Sequence, residues 1–196
     1  MIKDWKKEIF TIPNLLSLFR LILIPVYVII YLNAESQPDP QTHYFLAAAI
    51  LAVSCLTDLV DGQIARHFNM ISHVGKVLDP IADKATQLAL IICLTVHYPL
   101  LLVVVGLFVL KEGFQAIAGL ITLRKGRMLT GALMAGKICT TVLFISLIIM
   151  VLLPNLSQTA VTVIVIVDCV FMLISFVEYI RVYFTNSSKI QDLDQK

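Results

Sequence analysis

Four aspartates stand at fixed intervals in one short region: Asp58, Asp61, Asp79 and Asp83. Residues three and four apart share a helix face, so Asp58 pairs with Asp61 and Asp79 with Asp83. Two antiparallel helices joined through "RHFNMISHVGKV" can aim both pairs at one point. Four carboxylates that close repel one another unless divalent cations lie between them. Hard oxygen ligands select magnesium, manganese or calcium over zinc. Gly62 and Ala65 remove bulk beside Asp61, Gly75 does the same on the facing segment, and Arg66 adds a fixed cation for phosphate. The chemistry expected of such a cluster is the holding of a phosphate ester through metal ions.

The setting is unusual for so much charge. The chain has 196 residues, 59% of them apolar and only 14% charged, with a mean hydropathy of +0.90. These values are too apolar for a soluble domain and indicate a membrane protein. A hydrocarbon core about 30 Å thick takes roughly 20 apolar residues per helix. Six such runs occur, near 15–33, 43–60, 80–98, 99–121, 130–153 and 159–181. The expected fold is therefore all-α: six transmembrane helices in a single membrane domain, with the bundle over 14–184 and a cytoplasmic tail over 185–196. Segment 1–13 interleaves Lys3, Lys6 and Lys7 with Ile2, Trp5, Ile9 and Phe10, which suits a short helix lying in the cytoplasmic interface. Its apolar continuation runs to about Leu32 with no small-residue cleavage site, so it is read as retained.

Lysine and arginine mark the cytoplasmic side of short loops. They occur at the N-terminus, at Arg66 and Lys76, at Arg124, Lys125 and Arg127, and at Arg181, Lys189 and Lys196. The three alternate connections, around 33–42, 97–99 and 154–158, contain neither residue. Both termini and the aspartate cluster are thus expected to be cytoplasmic, in a multi-pass protein of the cell membrane. Cys55, Cys93, Cys139 and Cys169 lie inside apolar runs without metal-ligand spacing and read as packing residues. His43, His67, His73 and His97 fall at or near span ends. No feature of the sequence points to nucleic acid.

An ionisable group at membrane depth costs at least about 2.5–3.5 kcal/mol and marks function by default. Besides the aspartates, Arg20, Lys84, Lys111, Glu112 and Lys137 occupy such positions. All count to the inner half of the bilayer or near its midplane, which implies a polar cavity open to the cytoplasm. Lys111 and Lys137 are two cations that would suit a ligand carrying phosphate; the alternative is that Lys111 and Glu112 pair with each other.

The residues from Asp58 to Asp83 resemble the signature of the CDP-alcohol phosphatidyltransferases, D-x2-D-G-x2-A-R-x8-G-x3-D-x3-D, with every fixed position filled and every gap matched. Ile12-Pro13-Asn14 and Arg20 are similar to the start of members near the phosphatidylglycerophosphate synthases. The resemblance implies six spans, a homodimer, and transfer of a phosphatidyl group from CDP-diacylglycerol to an alcohol with release of CMP. It implies two bound ions of magnesium or manganese: Asp58, Asp61 and Asp79 would ligate the first, Asp58, Asp79 and Asp83 the second. Asp83 would also be the general base. Asn14, Gly62, Ala65, Arg66 and Gly75, with Asp58 and Asp61, would hold the cytidine diphosphate part of the donor. Arg20, Lys111, Glu112 and Lys137 would hold the acceptor, taken as glycerol 3-phosphate. The chain departs from that subfamily at Lys111-Glu112, Gly119 and Lys137-Ile138-Cys139, where cations are fewer. Phosphatidylglycerol, as in cardiolipin synthesis, is the alternative acceptor.

Two other classes place charge at such depth. An ion-coupled transporter should show repeated halves or broken spans, and neither is evident. A non-catalytic scaffold gives no reason for Gly62 and Ala65 beside the carboxylates.

Overall fold

A computed structural model describes residues 12–67, 75–124, 127–129, 133–153, 156–185 and 190–192. The side chains of 58–77 lie outside the description, as does most of the expected interfacial segment and tail. Among the described residues the long elements are helices: α1 (Ile12–Asn33), α2 (Pro40–His67), α3 (Gly75–Thr95), α4 (Leu101–Arg124), α5 (Met134–Leu152) and α6 (Gln158–Phe184). They form two compact units, Met1–Val96 and His97–Lys196.

In the first unit α1 packs against both α2 and α3. Its 22 residues reach about 33 Å at 1.5 Å per residue, the depth of a bilayer core. A 3₁₀ turn, Ala34–Ser36, ends the α1 run. Asp39 then starts α2: its carboxylate accepts from the Thr42 backbone N–H at 3.5 Å and from the Thr42 hydroxyl. Pro40 takes the first helical position, where its missing N–H costs nothing. The Thr42 hydrogen bonds pull the Asp39 carboxyl below its ordinary range by favouring its charged form.

The second unit packs α6 against α4 and α5. Ser157 caps α6 by accepting from the Ala160 N–H at 3.2 Å. Leu133, Tyr179 and Val182 form a buried cluster, with Phe114 and Tyr183 against it. Two short strands add a feature the all-α expectation did not contain: β1 (Arg127–Leu129) pairs antiparallel with β2 (Ile190–Asp192). Three residues per strand are too few to show a period in sequence. The ladder ties the segment after α4 to the segment after α6.

Burial is inverted relative to a soluble protein. On α1, Leu15, Leu18, Phe19, Ile22, Val26 and Ile29 face outward, while Asn14, Ser17 and Arg20 are buried. Thr86, Gln87, Lys111, Ser146, Asp168 and Ser175 are buried as well. In water this arrangement would expose large apolar faces at about 25 cal/mol per Å²; in lipid the same faces are solvated. Four segments, Asn14–Ser36, Leu101–Arg124, Met134–Leu152 and Gln158–Phe184, are long and apolar enough to cross a membrane. The protein is therefore a membrane protein. The second and third predicted spans fall on α2 and α3. Asp79, Asp83 and Lys84 lower the apolarity of α3, so the residues that carry the chemistry weaken its hydropathy signal. The four cysteines are thiols, buried or half-buried, as packing residues should be.

Candidate active site

Asp79 and Asp83 lie in the first half of α3, one turn apart and therefore on one face. Each receives a donor from α1. The Ser17 hydroxyl donates to Asp79 Oδ1 at 2.5 Å, and Arg20 Nη1 donates to Asp83 Oδ1 in an ion pair. The three-residue spacing of Asn14, Ser17 and Arg20 makes one stripe down α1, and all three are buried. The packing of α1 on α3 brings this stripe to the carboxylates.

Electrostatics explains why the contacts are so directed. Arg20 is only 2% exposed, whereas the Asp83 side chain is 47% exposed. Burying a guanidinium without a partner costs several kcal/mol, and the adjacent carboxylate offsets that cost. Asp83 in turn is only half covered. Ser17 meets Asp79 differently, with a neutral donor fully inside the helix packing.

The backbone of α2 carries Asp58, Asp61, Gly62, Ala65 and Arg66, and Gly75 is the first residue of α3. Their side-chain surroundings lie outside the described residues, so the meeting of all four carboxylates stays an expectation. Among the described residues no three metal-ligating side chains come together. The described carboxylates would suit a hard cation: Asp79 and Asp83 offer oxygen donors, each also accepting a hydrogen bond from α1.

The predicted acceptor residues divide. Arg20 belongs to the carboxylate cluster. Lys111 and Glu112 lie on α4, where Lys111 Nζ donates to Glu112 Oε1 at 2.6 Å and Lys111 is buried. Lys137 is exposed near the start of α5. Gly119, also on α4, has the Tyr183 hydroxyl 3.5 Å from where a Cβ would stand.

Ser17 and Asp168 are among the buried polar residues not singled out from the sequence. Ser17 reads as one more small residue in an apolar helix; its signal is the spacing from Asn14 and Arg20. Asp168, the acid within the apolar centre of α6, accepts from the Ser146 hydroxyl of α5 at 2.9 Å. Its signal is the cost of an acid at that depth.

A membrane-embedded helical protein with a carboxylate pair braced by polar groups of its first helix is the class that fold and site define. The chain belongs to the CDP-alcohol phosphatidyltransferase family, whose model matches residues 10–175. It is similar to proteins named "CDP-diacylglycerol--glycerol-3-phosphate 3-phosphatidyltransferase" from Escherichia coli (strain K12), Escherichia coli O157:H7 and Shigella sonnei (strain Ss046). Each is 42% identical over 90 residues, which is 45% of this chain and 46% of the relative. The chain thus spans about half the length of the curated relatives it matches.

Proposed function

We propose that this protein transfers the phosphatidyl group of CDP-diacylglycerol to glycerol 3-phosphate and releases CMP. The observation that carries this is the family match over residues 10–175, which contains the complete eight-position signature from Asp58 to Asp83. The names of the relatives supply the acceptor.

In this reaction the acceptor hydroxyl oxygen forms a bond to the phosphorus that bears the diacylglycerol, and the bond from that phosphorus to the CMP oxygen breaks. Asp83 takes the hydroxyl proton, and CMP leaves with the bonding electron pair. Asp58, Asp61 and Asp79 would hold one divalent cation and Asp58, Asp79 and Asp83 a second, magnesium or manganese. Bound there, the two ions would supply charge neutralisation at the pyrophosphate oxygens. Asn14, Gly62, Ala65, Arg66 and Gly75 would seat the cytidine diphosphate, and Arg20, Lys111, Glu112 and Lys137 would serve the acceptor.

We read the chain as one six-span membrane domain that works as a homodimer, with 1–13 in the cytoplasmic interface and 185–196 as a cytoplasmic tail. The basic bias of alternate loops supports cytoplasmic termini. The β1–β2 pairing adds support, since it requires the ends of α4 and α6 to share a side.

A second acceptor has its own supporting observation. Lys111 is paired with Glu112, and Gly119 brings no charge, so the acceptor region has few cations to offer a dianion. Phosphatidylglycerol carries one negative charge and would give cardiolipin. The deciding experiment offers the purified protein CDP-diacylglycerol with each acceptor and identifies lipid products by mass spectrometry. Phosphatidylglycerophosphate is expected. Cardiolipin alone would reassign the acceptor, and no CMP with any alcohol would refute the transferase.

A further inference from the structure

Ser17 has no part in the scheme above, yet it is fully buried and its hydroxyl donates to Asp79 Oδ1 across 62 residues of sequence. We propose that Ser17 is a positioning residue that fixes the plane of the Asp79 carboxylate and so sets the affinity of the divalent-cation site. This role rests on the two-cation reading given above.

The physical case has three parts. An aspartate's terminal torsion is soft and roughly two-fold, so the carboxylate plane is not set by rotamer preference alone. A donor fixed on one oxygen removes that freedom and leaves the other oxygen, Oδ2, oriented. The donor itself is held rigidly, because Ser17 lies within α1, a helix packed on both α2 and α3. The second part is charge. Asp79 is the described carboxylate assigned to both cations, and a neutral hydroxyl orients it without adding a positive charge that would compete with them. Asp83, assigned to one cation, has the charged Arg20 instead. The third is magnitude: partners that orient metal ligands typically carry 10–100-fold in metal affinity.

The test measures Mn²⁺ binding to the purified full chain, by loss of the electron paramagnetic resonance signal of aqueous Mn²⁺, for the parent, Ser17→Ala and Ser17→Thr. Ser17→Ala should weaken binding about 10–100-fold. Ser17→Thr, which keeps the hydroxyl, should stay within about threefold of the parent. The unfolding midpoint without metal checks that each variant is folded. Should Ser17→Ala not fold, Ser17→Cys keeps an atom at the hydroxyl position with only a weak donor and should show the same loss. Unchanged Mn²⁺ affinity in Ser17→Ala, or in Ser17→Cys where it stands in, overturns the positioning role; so does equal weakening in Ser17→Ala and Ser17→Thr, which would make the effect one of packing. A parent that does not bind Mn²⁺ overturns the two-cation reading and this role together. A parent that binds Mn²⁺ but releases no CMP refutes only the transferase.

Discussion

Asp79 and Asp83 share a face of α3 but meet different partners, and their variants should differ accordingly. Asp79→Asn, like Asp58→Asn, should remove nearly all transfer, and so should chelation by EDTA; CMP release that survives EDTA would contradict a metal-dependent reaction. Asp83→Asn should lower turnover by about 10²–10⁴-fold, the usual worth of a positioned base. It should largely spare CDP binding, because Asp58, Asp61 and Arg66 remain. Parallel loss of CDP affinity and rate would make Asp83 a structural ligand. The aspartates were legible in the sequence because their spacing and their cost in an apolar chain both show without a structure. Ser17 was not, since a hydroxyl in an apolar helix carries no such cost and its partner lies 62 residues away. The Lys111–Glu112 pair was legible as one of two alternatives, and only geometry could show that the two side chains meet.

At the motif two helices run further than the apolar stretches that announce them. The apolar runs at 43–60 and 80–98 became α2, Pro40–His67, and α3, Gly75–Thr95. At the motif the polar residues continue the helices beyond the apolar register, so hydropathy alone draws the ends too short. Helix packing in the second unit gives a sharp contrast between glycines. At Gly136 of α5 an added Cβ would stand 2.7 Å from the Tyr179 hydroxyl and 3.0 Å from its ring, and Tyr179 is itself buried. Gly136→Ala should therefore destabilise by about 1–3 kcal/mol through overpacking. Gly106 of α4 has nothing within 4 Å of that position, so Gly106→Ala should be neutral or stabilising by up to about 1 kcal/mol. Thermal unfolding in detergent compares them; equal midpoints would mean that α5 and α6 do not pack closely there. The Ser146–Asp168 contact between the same helices should tolerate Asp168→Asn, which keeps an acceptor, better than Asp168→Leu, which leaves the Ser146 hydroxyl with no carboxylate to meet.

For the molecule as a whole, sidedness is the property most open to direct measurement. A cysteine introduced as Ser72→Cys should react with membrane-impermeant thiol reagents from the cytoplasmic side only; labelling from the other side would invert the topology. Lys137→Ala should raise the KM for the acceptor far more than that for CDP-diacylglycerol, and the reverse would place Lys137 on the donor. The β1–β2 ladder carries a consequence for biosynthesis. Its two strands are about sixty residues apart, and ribosomes deliver about 5–20 residues per second. For several seconds β1 is therefore made but without its partner strand, while α5 and α6 are still being synthesised. If α5 and α6 both span, the ladder can close only once α6 has returned the chain to the side of β1, so its closure would report, late in synthesis, that the second half of the chain has been threaded properly.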